Sequence, residues 1–555
     1  MSTSHAPSRC APMTPGGTFF AFALVFAWAA PATAQPITDP SLVFAEPNVP
    51  KPAYLSPFSD PTFHTQVARI AGDIGASMAP ASGTWGAVAR HVYSKQQPWS
   101  SDGSIIVIEN DGNPIFLDGK SYQPLSGPCA GAIWDYRWHP SLAHAHELID
   151  VDAAGTTLQW FDVVACARTR SWSLPFAVAD LGSGEGNPSN DGRFVVLGSA
   201  TQMVVVDMDP RAPFAPYPNR RIGPPVTIAP NCGASDCTID WVSVSASGRY
   251  AVVDYNGDFP RVFDINPQTL ALTPHVYPAG TTECNGHDPG NGYILDLGHA
   301  DFALDPYDNN EDVLVGQQSG GCPSSINGQP LGGVVMVRLR DGAVTSLTDP
   351  SNEAYPHHIS TRNLDRPGWA YVSYLPSAGQ RFNDEVVAVK LDGSKACERL
   401  AHMHSDANAC YLCEPHAVPS RDGQRVIFAS TWSIDCGIGC GTTSDIKDYV
   451  VSYQPGPPPP PPPFAADTLA LTIRQITPNP TLDTAEVDYR LAGPEPAQLT
   501  LLDAAGRIVE RLDLGAPGPG RYQTQIRDPG IHPGIYWVWL SQAGQAVASH
   551  VVFLR

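Results

Sequence analysis

Histidine and glutamate recur at one equivalent position along much of the chain, at the start of a strand that leads into a short turn. The residues at this position are His91, Glu185, Trp241, His299, His358 and His416. The whole chain contains only 16 histidines, so their recurrence at one position indicates either a functional site or a set of hydrogen-bonded structural groups. Imidazoles and a carboxylate that face one another can bind a divalent metal ion or act as acid and base.

Further polar residues lie beside these positions. Glu414 and His416 are two residues apart, so on a strand their side chains point to the same side. With His299 and His358 they are predicted to bind Mn²⁺ or Zn²⁺. His91 would then stay free as a base. Arg90 and His357 are immediate neighbours of the ring positions, and Asp301 shares a strand face with His299.

The turn that defines this position is a serine- or proline-bearing segment ending in Asp-Gly. Clear copies occupy residues 99–103, 188–192 and 419–423, and a near copy occupies residues 245–248. A repeat this short cannot bury its own apolar face, which indicates a solenoid or a propeller. In a propeller, equivalent positions converge on one central channel. We therefore predict an all-β chain with a seven-bladed β-propeller over residues 35–454, in which the second blade is ambiguous between Ile133, Trp134 and Asp135.

The segments outside the propeller differ in composition. Arg9, an apolar run at residues 19–30 and Ala32-Thr-Ala34 are typical of a secretory signal peptide over residues 1–34. That run is too short to cross a bilayer, and we expect no membrane span. Prolines fill residues 457–463, which predicts an extended linker over residues 455–464. Residues 465–555 alternate short strands and turns and are predicted to form an immunoglobulin-like β-sandwich.

Charge and cysteine content narrow the function further. A net charge of -21 argues against nucleic acid and anionic membranes as partners. Cys10 lies in the signal peptide, which leaves eleven of the 12 cysteines for an oxidising compartment that favours disulfides. The plausible bridges are Cys232 with Cys237, Cys436 with Cys440, and Cys284 with Cys322. An alternative interpretation makes four cysteines the thiolate ligands of a zinc ion: Cys410, Cys413, Cys436 and Cys440.

The tail resembles the C-terminal sorting domain of proteins exported by type IX secretion. The residues that carry the resemblance are Pro478-Asn-Pro480, Leu502-Asp-Ala-Ala-Gly506-Arg507, Pro533-Gly-Ile-Tyr536 and the final Arg555. The resemblance implies an address that the outer-membrane export machinery recognises, and a protein secreted from, or displayed on, a diderm bacterium. An ordinary immunoglobulin-like accessory domain is the alternative.

A second resemblance concerns the propeller. Arg90-His91-Val-Tyr93-Ser94, followed by Pro98-Trp99 and Asp102-Gly103, resembles the first blade of the oligogalacturonate and ulvan lyases. Pro356-His-His358 and Glu414-Pro-His416 are similar to the metal-binding histidine stretches of the oligogalacturonate lyases. Glu414 stands where that family has a neutral amide. More generally, the Asp-Gly hairpins resemble TolB-type repeats.

This resemblance implies β-elimination on a uronic-acid polysaccharide. In this interpretation His91 is the base, Tyr93 is the acid, and Arg90 or Arg362 pairs with the uronate carboxylate. Substrate contacts also come from Glu185 and Trp241. The implied metal ligands are His299, His358, Glu414 and His416.

Two other functions fit the same sequence. A non-catalytic propeller would bind a glycan or a protein at the channel mouth, with exposed tryptophans as stacking platforms for sugar rings. The candidate platforms are Trp85, Trp134, Trp138 and Trp241. Hydrolysis would instead need paired carboxylates, for which Glu185, Asp135 and Asp301 are available.

Overall fold

The fold is known from a computed structural model of the full chain. It describes residues 35–131, 133–208, 221–228, 238–256, 258–277, 292–318, 325–326, 329–330, 332–438, 440–456, 471–482, 484–493, 495–504, 506–515, 520–527 and 533–554. The predicted signal peptide, the proline run and two of the expected cysteine pairs (Cys232 with Cys237, Cys284 with Cys322) lie outside these residues. Strands make up 47% of the structure and helices 2%, which confirms the all-β prediction.

The repeated turn is held together by its own serine and aspartate. In the first copy the Ser100 hydroxyl donates to Asp102 Oδ1 at 2.6 Å, and the backbone N–H of Ile105 donates to Ser100 Oγ at 3.0 Å. The glycine after the aspartate, Gly103, has φ +69°, a conformation that favours a residue without Cβ. The same Ser–Asp bond, also 2.6 Å long, recurs at residues 189–191 and 420–422. Each turn therefore aims the next strand in the same way.

Most of the sheets in the propeller region are four-stranded and antiparallel. Their strands, sheet by sheet, are Asp135–Trp138, Glu147–Val151, Thr157–Asp162 and Ala167–Ser173; Phe194–Gly198, Gln202–Asp207, Arg221–Ile222 and Val226–Thr227; Thr238–Val244, Tyr250–Asn256, Asp258–Ile265 and Leu272–Pro274; Gly298–Asp305, Glu311–Gln318, Gly333–Arg338 and Val344–Ser346; Pro356–Ser360, Trp369–Tyr374, Glu385–Lys390 and Cys397–His402. A short hairpin pairs Ser325–Ile326 with Gln329–Pro330. The described 3₁₀ helices are Leu142–His144, Pro306–Asp308 and Tyr411–Cys413.

The first and last repeats share one eight-stranded sheet. Its strands are Phe58–Ser59, Gln66–Arg69, Val88–Arg90, Ile105–Asn110, Asn113–Asp118, Val418–Pro419, Arg425–Ser430 and Ile446–Ser452. Gln66–Arg69 pairs antiparallel with Ile446–Ser452, and Val88–Arg90 pairs parallel with the same strand. The N-terminal segment thus supplies a strand to the last repeat. This pairing closes the propeller and brings His91 next to the final strand.

Neighbouring sheets pack face to face through β-branched and aromatic residues. In one such layer Ile149 and Trp160 of one sheet pack with Val195 and Val204 of the next, and all four are fully buried. Each such side chain contributes roughly 1.5–3 kcal/mol of burial free energy. The packing keeps the strand starts in fixed positions around the channel.

The C-terminal unit contains two sheets that share an apolar core. One sheet comprises Thr472–Thr477, Thr484–Leu491 and Gly520–Arg527; the other comprises Ala497–Leu502, Ile508–Gly515, Gly534–Gln542 and Gln545–Phe553. No helix in the described part of the chain has the length and apolarity needed to cross a membrane.

Six of the seven cysteines that the structure describes form disulfides. Cys436 bonds to Cys440 as predicted, and Cys410 bonds to Cys413. The zinc-thiolate interpretation of these four residues is therefore wrong, since their sulfurs are consumed in two bridges. A further bridge, which the spacing did not suggest, joins Cys129 to Cys166. Cys397 is buried and free.

Candidate metal centre

Histidines from three different repeats meet at one point. His299 lies on Gly298–Asp305, His357 and His358 lie on Pro356–Ser360, and His416 follows the Tyr411–Cys413 turn. The ring of His358 lies between the others, with its centroid 4.2 Å from that of His299, 4.3 Å from that of His357 and 4.0 Å from that of His416. Residues more than a hundred positions apart therefore form a single cluster.

Local backbone irregularities direct these side chains. The register shifts between Gly298 and Asp301, and again between Pro356 and His358. Such bulges change the direction in which side chains point, which explains how the adjacent residues His357 and His358 both reach the cluster. His299 and His416 have φ values of 46° and 48°, a left-handed conformation that is costly for residues other than glycine and is enriched at functional sites.

The cluster contains two overlapping groups of potential metal ligands. One is His299, His357 and His358; the other is His358, Glu414 and His416. Within each group the ligand atoms lie no more than 4.8 Å apart. All four predicted metal ligands are present in these groups, and His357 is an additional candidate that we had placed only beside the ring.

Hydrogen bonds distinguish the two groups. Glu414 Oε2 lies 2.9 Å from His358 Nε2 and 3.2 Å from His416 Nε2. A guanidinium can only donate, so the 2.6 Å contact from Arg90 Nη2 makes His416 Nδ1 an acceptor. The proton of a neutral His416 then sits on Nε2 and is donated to Glu414. His416 is consequently better suited to hold Glu414 than to bind a metal ion.

The first group offers free lone pairs instead. Among the described residues, His357 Nδ1 and His358 Nδ1 are buried and have no hydrogen-bond partner. Burial lowers the pKa of His357 to about 4 and lowers that of His358 well below its usual value. Both imidazoles are therefore neutral near pH 7, the state in which histidine binds metals.

Tyr93 lies against this cluster. Its hydroxyl is 2.9 Å from His299 Nδ1, and its ring makes edge contacts with those of His358 and His416 at 5.3 and 4.8 Å. Burial, followed by the nearby Glu185 carboxylate, raises the pKa of the phenol. Tyr93 therefore stays protonated and can donate a hydrogen bond.

Lys95 and Glu185 form an ion pair near the cluster. Lys95 Nζ is 2.5 Å from Glu185 Oε2 and 4.4 Å from the centre of the Trp241 ring. Despite its burial, Glu185 has a lowered pKa because Lys95 lies beside it. Burial and the Lys95 charge lower the pKa of His299. The sequence comparison of equivalent strand positions found Glu185 but could not find Lys95, which lies outside that position.

His91 is not placed as a base. Its Nδ1 is 2.8 Å from Asp448 Oδ1, its Nε2 is 2.7 Å from the His416 carbonyl oxygen, and the side chain is 1% exposed. Both ring nitrogens are engaged, so the residue joins the first and last repeats. These contacts do not support the predicted role as a base, and the repeat pattern did not associate the partner Asp448 with His91.

The predicted substrate contacts also differ in the structure. Arg362 makes two bonds to Asp301, at 2.8 and 2.9 Å, and is 6% exposed. Arg90 donates to the carbonyl oxygens of Leu412 and Glu414. Both guanidiniums are therefore committed within the protein, and their predicted pairing with a uronate is not supported by their contacts. Trp241 is 3% exposed and packs in the core.

Most of the remaining candidate tryptophans and carboxylates are also buried or engaged within the protein. Trp85 and Trp138 are buried, whereas Trp134 is 71% exposed. Asp135 accepts hydrogen bonds from Arg137 and from the Leu181 N–H, and Asp301 is occupied by Arg362. Because Glu185 pairs with Lys95, all three carboxylates considered for hydrolysis are engaged within the protein.

A cleft opens beside the cluster, and the buried Tyr93 forms part of its wall. It has a volume of about 610 Å³. Its lining includes Tyr93, Glu109, Asp111, Glu185 and Tyr411. The cleft is large enough for sugar rings, and its rim is acidic.

Comparisons with known proteins give similarities at the level of the propeller only. No protein-family model matches the chain, and no curated protein matches it. Among solved structures, the chain is similar to hydrazine synthase of Kuenenia stuttgartiensis (14% identity, 64% of this chain and 97% of that one, TM-score 0.36). It is also similar to the Cps50 (Swd1) β-propeller domain of Myceliophteria thermophila (10% identity, 66% and 99%, TM-score 0.34).

A third similar structure is PorZ of Porphyromonas gingivalis, a surface component of the type IX secretion system. It is 10% identical, with 81% of this chain and 64% of that one covered and a TM-score of 0.26. Similarities this distant carry no functional argument. The propeller fold of this chain follows from its own strand pairing.

Proposed function

We propose that this chain is an exported β-propeller protein that binds a divalent metal ion, Zn²⁺ or Mn²⁺, at the mouth of its channel. His299, His357 and His358 would supply the ligands. The observation that carries the proposal is the pair of buried Nδ1 atoms on His357 and His358 without hydrogen-bond partners. Such atoms are costly to bury, and coordination would satisfy them.

Glu414 supports the group of His299, His357 and His358 through a hydrogen bond to His358. It holds His358 through Nε2, which leaves Nδ1 of that ring as the lone pair. Carboxylate–histidine pairs of this kind fix the orientation and tautomer of a ligand and raise its basicity. Glu414 and His416, which we predicted as ligands, therefore become positioning residues in this proposal.

The reaction that we propose is β-elimination on a uronic-acid glycan. The ion would neutralise the uronate carboxylate and make the proton at C5 more acidic. A hydroxide ion from solvent would take the C5 proton, the electrons of the C5–H bond would form the C4–C5 double bond, the bond from C4 to the linking oxygen would break, and that oxygen would take up a proton. Tyr93 is our candidate donor, because its phenol is protonated, lies beside His299 and borders the cleft.

A non-catalytic glycan-binding propeller is the second candidate. It is favoured by the engagement of both nitrogens of His91, which leaves the C5 proton without a base from the protein, and by the acidic rim of the cleft. Trp134, 71% exposed, would be a stacking platform in that case.

One experiment separates the candidates. Purified protein loaded with Zn²⁺ or Mn²⁺ is mixed with pectic, ulvan-like and glycosaminoglycan substrates, and ultraviolet absorbance is followed. Unsaturated uronate products absorb and support elimination. Saccharide binding with no absorbance change on any uronate supports the binding protein and contradicts the lyase.

Several finer features belong to the same proposal. We propose seven blades, an immunoglobulin-like C-terminal unit that serves as the type IX sorting domain, and a secreted or outer-membrane surface location. The tail motifs and the disulfides support this location. Transfer of the tail to an unrelated reporter in a type IX-competent bacterium tests it, with surface delivery as the expected result.

A further inference from the structure

A disulfide bridge lies beside the candidate metal centre. Cys410 bonds to Cys413, which is only three residues further along the chain. The next residue, Glu414, has its Oε2 atom 2.9 Å from His358 Nε2 and 3.2 Å from His416 Nε2. A movement of Cys413 is therefore passed through one peptide bond to the residue whose carboxylate holds two of the clustered histidines.

The two residues inside the bridge bury little surface of their own. Tyr411 and Leu412 are 63% and 47% exposed, and both border the cleft. Cys413 is fully buried in a small apolar cluster, and Cys410 packs against the edge of that cluster. Segments with few buried apolar contacts open easily. The bridge thus ties an exposed turn to the interior of the propeller.

Arg90 connects this turn to the histidines. Its Nη1 atom donates to the carbonyl oxygens of Leu412 and Glu414, and its Nη2 atom lies 2.6 Å from His416 Nδ1. Arg90 is 3% exposed, and a buried donor that loses its acceptor is costly. The positions of the turn, the guanidinium and the His416 ring are therefore coupled.

The bridge closes too short a loop to stabilise the whole fold strongly. The entropy that a disulfide removes from the unfolded chain grows with the length of the loop, and only Tyr411 and Leu412 lie between these two cysteines. The Ser405 hydroxyl also donates to the Cys413 carbonyl oxygen at 2.6 Å, a bond that does not involve sulfur. Opening the bridge should therefore loosen the turn and leave the propeller folded.

We propose that the Cys410–Cys413 bridge positions Glu414 and His416 behind the metal-binding histidines, and that a dithiol reductant which opens it loosens the cluster and weakens metal binding. The part that concerns metal binding rests on the proposed function. The reaction is a thiol–disulfide exchange: the bridge takes up two electrons and two protons and becomes two thiols, while the two sulfurs of the dithiol become joined to each other. The metal affinity of the protein would then depend on the redox state of its surroundings.

The first test is calorimetric titration of Zn²⁺ and Mn²⁺ into the full-length protein. The double variant Cys410→Ala with Cys413→Ala should bind metal roughly tenfold or more weakly than wild type, which is the size of effect seen when the support behind a ligating histidine is lost. The matched control is Cys436→Ala with Cys440→Ala. It removes a bridge that spans four residues and has no described contact with the histidine cluster, so it should bind metal like wild type.

Thermal melts should show that both double variants are folded. If the variant at Cys410 and Cys413 does not fold, wild-type protein is reduced with dithiothreitol, separated from the reductant and titrated with Mn²⁺, for which free thiolates compete less than they do for Zn²⁺. Reoxidation of the same sample should restore the affinity.

A second test needs no metal ion. Oxidised and reduced protein are treated with diethyl pyrocarbonate, which acylates accessible imidazoles, and mass spectrometry locates the label. His358 and His416 are 0% and 1% exposed and should gain label after reduction. His139, which is also buried (4% exposed) but lies in another repeat, should not. The control variant at Cys436 and Cys440 should show the same gain on reduction.

The two tests separate this inference from the proposed function. If oxidised wild-type protein binds neither ion, the proposed function fails, while the labelling result still decides the role of the bridge. Unchanged labelling of His358 and His416 after reduction would overturn that role. Metal binding by the bridge-free variant as tight as that of wild type would overturn it as well.

Discussion

The substitution Glu414→Gln tests how the candidate metal centre is organised. Glu414 Oε2 accepts from His358 Nε2 at 2.9 Å and from His416 Nε2 at 3.2 Å. Burial raises the pKa of Glu414 to about 7, so at a higher pH a neutral amide keeps the shape of the side chain but replaces two charge-assisted bonds with ordinary ones. Each replacement costs about 1 kcal/mol, and about 2 kcal/mol in total corresponds to roughly thirtyfold weaker metal binding. Loss of a carboxylate behind a ligating histidine has effects of about this size.

The assay is calorimetric titration of Zn²⁺ and Mn²⁺ into metal-free, full-length protein. Glu109→Gln is the matched control, because it removes a carboxylate from the same cleft and the described hydrogen bonds include none between Glu109 and the histidines. Thermal melts should show that both variants are folded. If the metal affinities of Glu414→Gln and Glu109→Gln both lie within twofold of the wild-type affinity, the proposal that Glu414 positions His358 for metal binding is refuted.

Three other predictions concern separate features. Tyr93→Phe should retain the metal ion but lower the rate of uronate elimination by about 10²–10⁴, measured by product absorbance; an unchanged rate would remove Tyr93 as the proton donor. His91→Ala should lower the free energy of unfolding in urea by about 3 kcal/mol, because it leaves the buried Asp448 without its partner, and should not abolish metal binding. Burial raises the pKa of Glu353 from 4.5 to about 7, so the folded state binds the Glu353 proton more tightly than the unfolded state does. The stability that this proton contributes therefore falls as the pH rises from 4.5 to about 7. Glu353→Gln should flatten the plot of melting temperature against pH in that range, and an unchanged slope would contradict the raised pKa of Glu353.

The fold follows from local sequence signals to a large extent. The Ser-x-Asp-Gly turns form bonds within a few residues, as between Ser100 and Asp102, so they can be recognised in the sequence. The alternation of residues along Gly534–Gln542 likewise predicts a strand with one buried face. An N-terminal segment completes the last repeat because the ring of repeats in a propeller must close.

The site could be predicted only in part. The repeat alignment identified His299, His358 and His416, since equivalent positions converge. It missed the coordinating potential of His357, because two adjacent residues point to opposite faces unless a bulge intervenes, and the bulge at Pro356 and His358 has no clear sequence signal. It also assigned His91 a catalytic role. The repeat pattern could not reveal the partner Asp448, 357 residues away, because that contact depends on how the ring of repeats closes.

X-ray absorption spectroscopy on protein loaded with Zn²⁺ tests most directly whether the histidine cluster binds a metal ion. We predict one ion per chain with three imidazole nitrogens at about 2.0–2.1 Å, and loss of the imidazole signal in His358→Ala. Absence of stoichiometric metal, or a spectrum dominated by sulfur at about 2.3 Å, would contradict the account.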